Sequence, residues 1–157
     1  MKKLLILSGL LFLSTLSFSQ ESFVIEGNNL PYPTVKNLIK WTNYSLSEWK
    51  NEMKQFDFSK NGIGKEGQSY YTSSLKNGSF AIERYPSKRI QIIHTYYDDK
   101  SFFDKFIDEV ENYYVKSHDG GLVEYGIQIK DFNYRFVVMR TGSMEIIDTQ
   151  KFKIKSP

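Results

Sequence analysis

The strongest constraint on the fold is a change of hydrophobic period that happens twice. Trp49, Met53 and Phe56 recur at spacings of four and three, one face of a 3.6-residue repeat. Ser45-Leu46-Ser47-Glu48 opens this helix with the pattern of a capping box, and a shorter helix over residues 34–42 precedes it. From residue 68 the period falls to two, so residues 68–75, 79–85 and 89–97 read as strands. Lys76-Asn77-Gly78-Ser79 predicts a type I′ hairpin, because Asn-Gly tolerates positive φ; Pro86-Ser87-Lys88 closes the next one. A second helix follows over residues 101–116, capped by Asp98 and Asp99, with Phe103, Phe106, Ile107, Val110 and Tyr114 as its apolar stripe. Residues 122–130, 133–140 and 144–152 then return to strand periodicity.

That order predicts an α+β fold, a tandem duplication of a helix plus three-stranded antiparallel unit (αβββ-αβββ), with the helices on one face of the sheet. An ungapped shift of 54 residues brings Gly67 onto Gly121, Tyr71 onto Tyr125, and Ile92, Ile93 and Thr95 onto Ile146, Ile147 and Thr149. The repeats span about 45–97 and 99–152. Residues 21–32 read as a loose leader, weakly strand-like over 21–27 and then punctuated by Asn28, Asn29 and Pro31.

Strand alternation separates two faces. The more apolar set holds Tyr71, Phe80, Ile82, Ile90 and Ile92, then Tyr125, Phe136, Val138, Met144 and Ile146; it is expected under the helices. The mixed set has Tyr85, Ile93, Val137, Met139 and Ile147 at its centre, with Glu83, Arg135 and Glu145 as a polar rim. An antiparallel sheet can leave such a face uncovered. Tyr85, Ile93, Arg135, Val137, Met139 and Ile147 are therefore the candidate binding residues, and self-association through the same face is compatible with them.

Lys2 and Lys3 precede a nearly continuous apolar run over residues 4–16, and Ser17-Phe18-Ser19 offers the small-x-small pattern of signal cleavage. Residues 1–19 are expected to leave as a signal peptide, and 20–157 to form a single exported domain, periplasmic or secreted, with no retained membrane span. Losing Lys2 and Lys3 takes the net charge from +3 to +1, too little for an electrostatic footprint on nucleic acid. The absence of cysteine excludes disulfides and thiolate metal sites.

Chemistry is scarce. His94 and His118 are the only imidazoles, with His94 ending the Ile90, Ile92 row and His118 expected in the helix-to-strand loop. No nucleophile elbow, zinc-helix motif or Walker loop occurs. Asp104, Asp108 and Glu111 are spaced as the solvated side of a helix. No catalytic residue, metal or cofactor is assigned. In element order alone, the duplicated helix plus small antiparallel sheet resembles exported inhibitor and PepSY-type modules of bacteria, and no functional residue carries over. The expectation is a non-catalytic binding protein using its open sheet face, with a protein or other envelope or extracellular ligand as partner. The alternative is a small hydrolase with a carboxylate or histidine site.

Overall fold

In the computed structural model, residues 22–96, 103–111, 115–119, 122–141 and 143–154 are described. The expected export signal, the expected Asp98-Asp99 cap and Gly120-Gly121 lie outside the described residues. The presumed leader is structured: β1 (Ser22–Ile25) and β2 (Asn28–Pro31) form an antiparallel hairpin. Glu26 and Gly27 make its turn at φ of 49° and 83°, the positive pair of a type I′ turn. Glu has no preference for that region, so the sequence carries no local signal for it.

Two helices follow. In α1 (Val35–Asn43) the Thr34 hydroxyl accepts from the Asn37 N–H at 3.1 Å. In α2 (Leu46–Met53) the expected capping box is present: Ser45 Oγ accepts from the Glu48 N–H at 3.2 Å, and Glu48 Oε2 from the Ser45 N–H at 2.7 Å. Then come β3 (Lys60–Ile63), β4 (Ser69–Leu75), β5 (Gly78–Arg84) and β6 (Ile90–Tyr96). The second half has α3 (Asp104–Glu111), β7 (Val115–Asp119), β8 (Leu122–Ile129), β9 (Phe132–Thr141) and β10 (Met144–Lys153).

The fold is mixed α+β with one antiparallel eight-stranded sheet in the order β3-β4-β5-β6-β10-β9-β8-β7. Two strands were not expected, so each half is a four-stranded meander rather than a three-stranded unit. β3 was hidden because Lys60-Asn61-Gly62-Ile63 has no alternation to read. Gly62 pairs with Tyr70, and a Cβ there would lie 2.6 Å from the Tyr70 hydroxyl; the ring covers the glycine. β7 begins at Val115, inside the helix expected to run to residue 116, so His118 belongs to a strand and not to a loop. The β4–β5 hairpin turns at Lys76-Asn77, but positive φ falls at Gly78 rather than Asn77, so the turn is not the type I′ expected. The Glu26 carboxylate accepts from the backbone N–H groups of Lys76 and Asn77, tying the first hairpin to this turn.

All three helices cover one face. Trp49 packs edge-on against Tyr71 at 5.3 Å, and Phe106 against Phe136 at 5.9 Å. Leu38, Trp41, Trp49, Met53, Phe103 and Val110 are fully buried in one cluster with Phe80, Ile82, Ile90, Ile92 and Phe136. Burial of such aliphatic and aromatic side chains supplies the main stabilising term.

The 54-residue shift holds for one hairpin and then fails. Tyr71 pairs with Ile82, and 54 residues on, Tyr125 pairs with Phe136. However, β5 and β6 have seven residues each, whereas β9 and β10 have ten. At the seam Ile92 opposes Ile147, and Ile93 opposes Ile146. Directly opposed residues share a face, so the shift that equates Ile92 with Ile146 equates side chains on opposite faces. An odd offset in the longer second hairpin reverses the phase of β10. Glu145 and Ile147, expected on the open face, are fully buried under the helices.

Candidate functional site

The face opposite the helices carries side chains in straight cross-strand rows. Thr72, Ala81, Ile93, Ile146, Met139 and Leu122 are successive Cα partners across six strands. Five are half-buried by their own neighbours, and Leu122 is exposed. The adjacent row runs Tyr70, Glu83, Gln91, Asp148, Val137 and Glu124. An apolar row thus crosses the seam beside a largely polar one. Of the six candidate residues, Tyr85, Ile93, Arg135, Val137 and Met139 belong to this face. Ile147 does not; its place is taken by Ile146, which alternation would have found had β10 been phased by its pairing with β6.

The polar groups are already organised. Arg89 Nε donates to Asp148 Oδ2 at 2.6 Å, and Gln150 Nε2 to Asp148 Oδ1 at 3.2 Å. The guanidinium of Arg89 lies over the Tyr85 ring, 4.6 Å from its centroid, a cation–π geometry. The Tyr85 hydroxyl donates to Glu83 at 2.9 Å. Burial and, after it, this hydrogen bond push the Tyr85 phenol up to about 12, since a phenolate could not donate to the carboxylate. Arg89 is raised chiefly by its hydrogen bond to Asp148.

Toward the β8 side of the face lies a hollow of about 510 Å³. Gly126 forms its floor; Glu124 and Gln128 flank it along β8, Asn133 and Arg135 rise from β9, and Phe152 from β10. Arg135 Nη2 donates to Glu124 Oε2 at 2.6 Å. Sequence reasoning singled out Arg135 but found no hollow beside it, because a glycine and two amides in strands carry no signal of their own.

On the helix side, His94 sits between Phe80 and Glu145 in neighbouring strands and is 5% exposed. Its Nδ1 lies 3.8 Å from Glu145 Oε2, beyond hydrogen-bond length. Arg140 Nε donates to Glu145 Oε1 at 3.0 Å and its Nη2 to Asp104 at 2.6 Å. This places a histidine and a carboxylate side by side under Phe103, whose ring centroid is 6.4 Å from the imidazole, in the core rather than in a cleft. Among the described residues no group of three or more His, Asp or Glu side chains could hold a metal ion, and no helix is long and apolar enough to cross a membrane.

No family model matches the chain, and no curated protein or solved structure matches it. The resemblance to exported inhibitor and PepSY-type modules rests on element order alone.

Proposed function

We propose that the mature chain is an exported, non-catalytic binding module that engages a protein partner through the face opposite its helices. The observation that carries this reading is the row Ala81, Ile93, Ile146, Met139 and Leu122, which crosses the seam between the two halves with no described element packed over it. Around it stand the ion pairs Arg89–Asp148 and Glu124–Arg135. An apolar centre with a charged margin is the anatomy of an interface. The two meanders are further proposed to be a tandem duplication, supported by the shared register of β4–β5 and β8–β9 and interrupted by the longer β9–β10 hairpin.

The test combines Ile93→Ser, Met139→Ser, Ile146→Ser and Arg135→Glu in the mature domain. Wild type and a helix-side control, Lys54→Glu, should capture the same partner from envelope extract, and the combined variant should not, at unchanged thermal stability. Capture by the combined variant would refute the reading. A collapse of its stability would show the face to be core. An enzymatic turnover abolished by His94→Gln would favour the hydrolase instead.

A further inference from the structure

The hollow over Gly126 has a composition that the apolar row does not explain. Glycine in a strand interior weakens the strand, and often marks a place where a ligand or another backbone comes close. Two ordinary reasons for a glycine are missing here. Gly126 does not have positive φ, so no turn or bulge demands it. Among the described residues a Cβ built on it would meet only the Tyr134 carbonyl oxygen, at 3.9 Å, an ordinary contact, so no described neighbour excludes a side chain either. What the glycine does is leave the floor open.

The walls say what such a floor would receive. The charged side chains among its described lining residues, Glu124 and Arg135, are bonded to each other at 2.6 Å, so neither leaves a net charge to select an anion or a cation. Gln128 and Asn133 are exposed, and each presents both donors and an acceptor in one plane. Phe152 is 46% exposed, an uncovered aromatic face beside these amides. A ligand that is neutral, carries groups that both donate and accept, and has an apolar C–H face satisfies all of these at once. Hydroxylated pyranose rings have that chemistry. The volume of about 510 Å³ lies within the usual range for small-ligand sites, about 300–1,000 Å³.

We propose that the hollow over Gly126 binds a neutral saccharide, with Phe152 stacking on a sugar ring and Gln128, Asn133 and the Glu124–Arg135 pair hydrogen-bonding its hydroxyls. The site shares the Glu124–Arg135 pair with the margin of the proposed interface but uses none of Ile93, Ile146 and Met139, so substitutions at those three separate the two readings.

The experiment titrates the nitrogen-15-labelled mature domain with chitotriose, cellotriose and maltotriose and follows backbone amide shifts. At least one should give saturable shifts centred on Gly126, Gln128 and Asn133, with a Kd of roughly 0.1–1 mM, as suits a shallow site. Gly126→Leu fills the floor and should abolish those shifts while the rest of the spectrum stays folded. Phe152→Ala, at an exposed position, should weaken binding about ten-fold, which is roughly 1.4 kcal/mol. The Ile93→Ser, Met139→Ser, Ile146→Ser variant should bind the sugar as wild type does. No saturable shift with any of the three sugars up to about 10 mM, or shifts that survive both Gly126→Leu and Phe152→Ala, overturns the proposal. Shifts at the same residues with a neutral aromatic peptide and none with sugar would overturn it too, in favour of a peptide site.

Discussion

Two tryptophans offer a controlled comparison. Trp41 and Trp49 are both fully buried, so shortening either to phenylalanine removes a similar amount of packed surface, a loss on the order of 1–3 kcal/mol. Their indole N–H groups differ. Trp41 Nε1 donates to Glu52 Oε1 at 2.5 Å, and that carboxylate also accepts from Lys40 Nζ at 2.8 Å and from the Tyr44 hydroxyl. Trp49 Nε1 is buried with no hydrogen-bond partner among the described residues. Trp41→Phe therefore gives up a hydrogen bond to a charged acceptor, about 1.5–3 kcal/mol. It also leaves Glu52, only 8% exposed, one donor short. Trp49→Phe instead removes a buried donor whose isolation costs about 1–3 kcal/mol, which offsets much of its packing loss. Its phenyl ring can keep the edge-on contact with Tyr71. The expectation is about 3–5 kcal/mol for Trp41→Phe and about 0–1 kcal/mol for Trp49→Phe. Urea unfolding followed by fluorescence measures both, because each variant keeps the other tryptophan as reporter. A cycle with Glu52→Gln should return a coupling of about 1–3 kcal/mol for Trp41 and none for Trp49. Equal costs for the two variants would refute the argument that the N–H, and not the ring, separates them.

Three further outcomes are expected. Ile147→Ala should cost about 2–5 kcal/mol in chemical denaturation, as a core truncation does, while Ile146→Ala, one residue away on the uncovered face, should cost about 1 kcal/mol or less; the reverse order would show the phase of β10 to be misassigned. Tyr44 and Tyr85, both pushed up to about 12 chiefly by burial, should titrate last in a tyrosinate absorbance titration. Their neutral forms are favoured in the folded state, so the unfolded chain loses those protons first, and stability should fall as pH rises from about 10 to about 12; a flat stability profile across that window would count against both contacts. N-terminal sequencing of exported protein should begin at Gln20, and a membrane-bound chain that retains Met1 would dismiss the signal.

The parts of the fold legible in the sequence are those where local chemistry and tertiary need coincide. Ser45 and Glu48 form the cap their spacing implies, and Trp49, Met53, Phe103, Phe106 and Val110 are buried as their helical stripes require. Strands β4, β5, β8 and β9 alternate with the expected face inward. The misreadings share one cause, which is that the deciding interaction lies elsewhere in the chain. β3 is a strand because Tyr70 covers Gly62. The β1–β2 hairpin is held by Phe23 against Phe80 at 5.8 Å and by Glu26 on the β4–β5 turn, and no periodicity within residues 22–31 records those contacts. β10 was the costliest case. Met144, Ile146 and Glu145, Ile147 alternate with nearly equal plausibility in either phase, and only the pairing of Ile147 with Ile92 decides between them. Because Ile147 stood among the candidate binding residues, an error in register became an error in the site. The hollow over Gly126 was illegible for another reason: it is made by a side chain that is missing.

The seam between β6 and β10 sets a timetable for the chain. β10 is the last of the described strands to be synthesised, yet it lies in the middle of the sheet, with β6 on one side and β9 on the other. Until it arrives, β6 is a free edge carrying Ile90 and Ile92, and the two meanders have no strand in common. A chain shortened before residue 144 would lack the piece that joins them, not a dispensable tail. Closing contacts between residues 90–95 and 144–149 spans most of the second half, so docking of the C-terminal strand is a long-range and slow event. A sheet so arranged stays incomplete at its centre until residues 144–153 have been made.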